Sequence, residues 1–115
     1  PTGGNMTLEI FLASIYDQIS VGMKIDKPKV ISEILDIYSN GNIYYRVGAK
    51  NKKFVSRSEL SALFDLLDSG NTVTSKHIRS IIPSSKPCNA TTIKWLLKRS
   101  DLVGVNDKDE FSRKW

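Results

Sequence analysis

The stretch Ser56-Arg57-Ser58-Glu59 constrains this chain more than any other, because it marks where a helix must start. A serine oxygen at the cap accepts from the amide three residues on, and a glutamate at that third position reaches back to the serine amide. Two of the unpaired N–H groups of a helix end are satisfied together. Leu60, Leu63, Phe64 and Leu67 then recur at spacings of three and four as one apolar face, and Gly70 supplies the left-handed residue that commonly closes a helix. Beyond it, Asn71 to Val73 reads as a short extended piece. Thr74 or Ser75 caps a second helix carrying Ile78, Ile81 and Ile82, and Pro83 stops it, since proline has no amide to donate and pushes its predecessor out of the helical region. Ser84 to Cys88 reads as a turn or loop. Asn89 is a good cap for a third helix whose inward residues are Ile93, Leu96 and Leu97. The period then changes: Leu102, Val103 and Val105 lead into the polar turn Asn106 to Asp109, and Glu110 to Trp115 return with alternating character, which predicts a β-hairpin.

The first half carries different signals. Met6 to Ser20 reads as an amphipathic helix with Leu8, Phe11, Leu12, Ile15 and Ile19 on one stripe. That stripe is expected to pack on the rest of the chain, a dimer interface being the other way to cover it. Lys29 to Val55 is rich in β-branched and aromatic residues and is punctuated by Asn40-Gly41, a hairpin signal in which both turn residues take positive φ. Strands are expected at Val30 to Tyr38, Ile43 to Val47 and Lys53 to Val55, with a loop at Gly48 to Lys52. The first of these has a second reading, because Val30, Ile31, Ile34, Leu35 and Tyr38 also fit a helical stripe with Pro28 in its first turn and Gly41 closing it. Pro1 to Asn5 is set apart as a flexible leader. The fold class expected is α+β: residues 6–55 form an N-terminal helix and a small antiparallel sheet, packed as one compact unit on residues 56–115.

The 115 residues suit one domain, and 40% apolar with 25% charged residues is the composition of a folded globular chain. No apolar run approaches the roughly 20 residues that span a bilayer, and the start lacks the basic-then-apolar layout of a secretory signal, so the expectation is a cytoplasmic protein with no membrane partner. The lone Cys88 has no partner for an intramolecular disulfide, and no Cys or His spacing suits zinc; no metal and no cofactor is expected. The net charge of +5 lies wholly on Asn71 to Trp115, where nine bases face four acids, while residues 1–70 carry eight of each. Such segregation is the footprint of a polyanion site, and a surplus this modest also occurs on ordinary solvated surfaces.

The order capped helix, extended piece, helix, loop, helix, hairpin over residues 56–115 resembles the winged helix-turn-helix superfamily of DNA-binding proteins. Thr91-Thr92-Ile93-Lys94-Trp95-Leu96-Leu97-Lys98-Arg99-Ser100-Asp101-Leu102-Val103 is similar to its third helix running into the wing. The resemblance, which covers about half the chain, implies that Thr92 starts the recognition helix, that Ile93 and Leu97 face the core and that Leu102-Val103 opens the first wing strand. Asp101 stands where members often carry glycine. The implied function is sequence-selective binding of double-stranded DNA, as a regulator of transcription or the recognition module of a larger DNA-processing system.

The chemistry of the residues points the same way. A helix entering the major groove needs short polar side chains near its N-terminus for base edges and long basic ones for phosphates. Opposite Ile93 and Leu97 the third helix presents Asn89, Thr91, Lys94, Trp95 and Lys98. Asn89 and Thr91 are the expected base readers, with Lys94 suited to either task. Lys98, Arg99, Lys76 and Arg79 are expected on phosphates, and Lys108, Arg113 and Lys114 of the hairpin on backbone or the adjacent minor groove. Each has a plainer alternative. Asn89 serves equally as a helix cap, Lys94 and Lys98 as solubilising residues, and Trp95 as packing under the hairpin beside Trp115. His77 is expected to be an exposed helix residue without chemistry. The acids Asp107, Asp109 and Glu110 argue against deep insertion of the hairpin tip, since carboxylates and phosphates repel.

No enzyme is expected. Glu33 and Asp36 are separated by an odd number on a strand and should point to opposite faces, which suits a metal site poorly, and no phosphate-binding glycine loop or nucleophile motif occurs. The rival reading is a protein interaction module of the same fold without DNA binding, presenting Tyr38, Tyr44, Tyr45 and Phe54; its binding would survive high salt, whereas phosphate contacts weaken steeply. A homodimer would suit a palindromic site, but no coiled-coil seam announces one.

Overall fold

A computed structural model describes residues 6–26, 31–48 and 51–115. The leader Pro1 to Asn5, the first residue of the strand expected from Val30 and two residues of the expected loop at Gly48 to Lys52 lie outside the described residues. The elements in order are α1 (Leu8–Tyr16), β1 (Lys24–Ile25), β2 (Ser32–Ile37), β3 (Ile43–Val47), β4 (Asn51–Val55), α2 (Arg57–Asp68), α3 (Ser75–Ile81), α4 (Asn89–Arg99), β5 (Val103–Val105) and β6 (Phe111–Arg113). Among the described residues, four helices with small antiparallel sheets make an α+β protein.

α1 is shorter at both ends than the Met6 to Ser20 expected. Thr7 caps it by accepting from the Ile10 amide at 3.2 Å, and Phe11, Leu12 and Ile15 bury its inner face. β1 to β4 form one antiparallel meander in chain order. Residues 32–37 are strand, not helix, and their cross-strand partners decide it: Ile34 faces Tyr45 on β3, with Ser32 and Ile34 buried between the half-buried Glu33 and Leu35. Leu35 is an extra residue, because Ile34 opposes Tyr45 while Asp36 opposes the adjacent Tyr44. This bulge corrects the expectation for the two acids. Glu33 opposes Arg46 and Asp36 opposes Tyr44, two residues apart on β3, so both acids share one face.

The β2–β3 turn also differs from the expected two-residue form. Tyr38 donates its amide to Asn42 O at 2.9 Å, which leaves a three-residue loop, and Gly41 at φ 96° is its left-handed residue while Asn40 is not left-handed. Asn40 instead accepts the Asn42 amide through Oδ1 at 3.0 Å. Close approach demands glycine as well, since a Cβ at position 41 would lie 2.8 Å from Tyr16 Oη.

α2 starts with the capping box as expected: Ser56 Oγ accepts from the Glu59 amide, and Glu59 Oε2 accepts from the Ser56 amide at 2.8 Å. α3 ends at Ile81, and Ile82 before Pro83 is extended (φ −77°, ψ 149°). At the C-terminal end Val73 and Phe111 exchange both backbone hydrogen bonds, 2.7 and 2.9 Å, which places β6 between Val73 and β5. One core, containing Phe11, Ile34, Tyr45, Leu63, Ile93 and Phe111 at 0% exposure, joins the two halves. Each such aliphatic or aromatic side chain contributes about 1.5–3 kcal/mol on burial. Trp115 stacks on Phe64 at 6.0 Å, meets Phe11 edge-on at 6.4 Å and donates Nε1 to Asp68 Oδ1 at 3.0 Å. That corrects its expected place beside Trp95, which instead carries the Arg99 guanidinium 4.4 Å from its ring centroid. Among the described residues no helix is long and apolar enough to cross a membrane.

Candidate nucleic-acid interface

α4 begins at Asn89, three residues before the Thr92 start that the resemblance implies, and its N-cap is Cys88 with no side-chain cap bond. Asn89 is therefore not the cap. It precedes Ile93 by four and Leu96 by seven, so it lies on their inward face and is fully buried. Tyr45 donates its hydroxyl to Asn89 Oδ1, and Asn89 Nδ2 donates to Phe54 O and to Glu59 Oε1, each at 2.9 Å. The side chain is committed inside the protein and cannot reach a base edge. Tyr45, expected on an open sheet surface, is likewise at 0% exposure. Burial pushes its hydroxyl far above the ordinary phenol range, which keeps it a donor. Glu59, which caps α2, also accepts from the Asn89 side-chain amide and so holds α4.

The opposite face of α4 remains open. Thr91, Lys94, Trp95 and Lys98 line a shallow cleft of about 300 Å³ together with Asp26, just past β1, and Asp109 of the β5–β6 turn. Lys98 Nζ pairs with Asp109 Oδ1 at 3.0 Å, both side chains being 45% exposed. Asp109 takes φ 58°, left-handed geometry that aspartate tolerates better than most residues. The turn is held by Asn106, whose Oδ1 accepts the amides of Lys108 and Glu110 at 2.9 and 3.0 Å and whose Nδ2 donates to Glu110 Oε1. Two of the three acids of the tip are thus used internally, and Lys108 is exposed on the turn.

The remaining expected contacts are scattered. Lys76 and Arg79 are exposed on α3, and Arg79 borders a second groove with Ile82, Pro83, Ser84 and Pro87. Arg99 lies over Trp95, on the flank of the cleft. Arg113 donates Nη1 to Asp68 O at 2.6 Å, where a cation is favoured by the C-terminal end of α2. In this arrangement it holds β6 to α2. His77 is half-buried and not merely exposed: its Nδ1 accepts from the Thr74 amide at 3.1 Å and so completes the cap of α3. Among the described residues no group of three His, Cys, Asp or Glu side chains gathers to hold a metal ion.

Thr91, Lys94 and Lys98 are brought together from the expected contacts, beside Trp95, which the sequence sets on the same face, and the structure adds Asp26 and Asp109 to them. Comparison with protein-family models, with characterised proteins and with solved structures finds no match to this chain.

Proposed function

We propose that this chain binds double-stranded DNA as a winged helix, with α4 as the reading helix and the β5–β6 hairpin as the wing, in the service of transcription control or of a larger DNA-processing system. One observation carries the reading. α4 is clamped from behind by Asn89, Ile93, Leu96 and Leu97, while exposed Thr91 and Lys98, with half-buried Lys94 between them, line a cleft that the hairpin turn borders. A major groove about 12 Å wide admits such a helix. Thr91 and Lys94, near the N-terminal end, are placed for base edges. Lys98, Arg99 and Lys108, with Lys76 and Arg79 from α3, are the phosphate contacts in this reading. The cytoplasm, where Cys88 stays a thiol, is the compartment that goes with it.

The test is fluorescence anisotropy of a labelled random duplex over a series of salt concentrations, with sedimentation of the complex to count subunits; two per site would fit a palindromic target. The logarithm of affinity should fall with the logarithm of salt at a slope of about 0.9 per phosphate contact. Lys94→Ala combined with Lys98→Ala should weaken binding and flatten that slope, with the thermal midpoint unchanged. Duplex binding equal to that of the parent protein discards the assignment.

A further inference from the structure

The outer face of the four-stranded sheet carries a row of rings that α4 does not use. Asp36, Tyr44 and Phe54 lie side by side across β2, β3 and β4, and Glu33, Arg46 and Lys52 form the next row, about 7 Å along the strands. Tyr38, just past β2, lies on Tyr44 with ring centroids 4.7 Å apart, and Tyr44 is stacked on Phe54 at 5.0 Å. Two ammonium groups close on the stack. Lys86 Nζ is 3.3 Å from the Phe54 centroid and Lys52 Nζ is 5.4 Å from that of Tyr44. At the other end Tyr38 is 42% exposed.

A cross-strand aromatic pair stabilises a sheet, which accounts for Tyr44 on Phe54. It does not call for a third ring beyond the strand or for cations gathered along the stack. Lys24, Arg46, Lys52 and Lys86 border these rings against two carboxylates, and both carboxylates are engaged: Glu33 with Lys24 and Arg46 at 2.7 and 2.9 Å, Asp36 with the Ile37 amide at 3.0 Å. The face therefore offers ring surface rimmed by positive charge, which complements an unpaired strand whose bases stack and whose phosphates need cations. A peptide would use that rim only through carboxylates, and it carries no succession of flat bases to extend the ring stack.

We propose that this face is a binding site for single-stranded DNA. The gaps between the rings are too narrow to admit a base, so a base extends the stack on the open side of Tyr38. The backbone follows Arg46 and Lys52, and Lys86 leaves Phe54 for a phosphate. The site does not depend on how α4 is used.

The experiment measures anisotropy of a labelled oligothymidylate of about 15 nucleotides on the full chain at low salt, with oligouridylate of the same length as a second arm. Tyr38→Ala should weaken oligothymidylate binding roughly tenfold, the loss of one stacked base. Lys52→Ala should lower the salt slope, and Lys94→Ala with Lys98→Ala should leave the affinity unchanged. Tyr38 is at the surface, so an unchanged thermal midpoint shows that the variant is folded, and Lys52→Ala reads the same site without touching a ring. The site is overturned by no binding of oligothymidylate, which would leave the ring row to a protein partner or to sheet stability alone. It is also overturned by binding that ignores Tyr38 and Lys52 and follows Lys94 and Lys98. Tighter binding of oligouridylate overturns the choice of DNA.

Discussion

The hydroxyl of Tyr45 reaches Asn89 Oδ1 across 2.5 Å, and through that contact the third strand of the sheet holds the first turn of α4. Both residues are fully buried, and Glu59 extends the link to the cap of α2. Tyr45→Phe removes the donor and leaves the Asn89 oxygen buried without it, at a cost of about 1–3 kcal/mol. Asn89→Ala loses three hydrogen bonds and strips Glu59 Oε1 of its donor, so its cost should be larger. Urea denaturation measures both. If Asn89→Ala proves nearly neutral in stability yet cuts duplex affinity, the inward placement of Asn89 is wrong.

Asp109 neutralises Lys98 at the edge of the cleft. Asp109→Asn keeps a side chain that tolerates the left-handed backbone, removes a negative charge and frees the ammonium. Duplex DNA should then bind several-fold more tightly, because Lys98 reaches its phosphate without first giving up Asp109, while the salt slope, which counts the same phosphate contacts, stays as it was. Weaker binding would mean that the ion pair positions the wing for contact.

Gly41→Ala should destabilise the fold by about 1–3 kcal/mol, because the substitution meets both a φ of 96° and a Cβ placed 2.8 Å from Tyr16 Oη and 3.0 Å from Arg57 Cβ. Gly48→Ala is the control: φ is 64° there but nothing lies within 4 Å of the added carbon, so only the backbone term applies. Thermal midpoints should fall more for position 41 than for position 48. Equal falls would show that contact with Tyr16 and Arg57 adds nothing.

Glu33 accepts a hydrogen bond from Lys24, which with the nearby Arg46 charge holds its carboxyl below the ordinary range. A folded-state pKa below the unfolded one contributes stability above the unfolded value, lost as pH falls through the folded one. The contribution is complete at neutral pH, begins to fade in the ordinary glutamate range and is gone below the folded pKa. The midpoints of the parent protein and Glu33→Gln should accordingly converge as pH is lowered past about 4. A constant gap between them would place the effect elsewhere.

What the chain reveals about itself depends on how local each cause is. The capping box at Ser56 and the stop at Pro83 act within four residues, and both appear where expected. Residues 32–37 fit two periodicities, and only pairing with β3 excludes the helix. The bulge at Leu35 and the three-residue turn at Gly41 depend on how strands register and on how Tyr16 and Arg57 approach, none of which a window of sequence contains. Asn89 is different. Its spacing to Ile93 and Leu96 marks the inward face, but asparagine is also a favoured helix cap, and the two signals compete at one position. Asp26 is 65 to 72 residues from the α4 side chains it joins, and only the assembled fold brings it into their cleft.

The buried amide of Asn89 also bears on how α4 would meet a ligand. Its Tyr45, Phe54 and Glu59 partners come from β3, β4 and α2, so the orientation of the helix is settled when the chain folds. Preorganisation of this kind removes an ordering cost from association. It also denies the helix adaptive rotation, so discrimination among targets would have to come from shape already present on the surface.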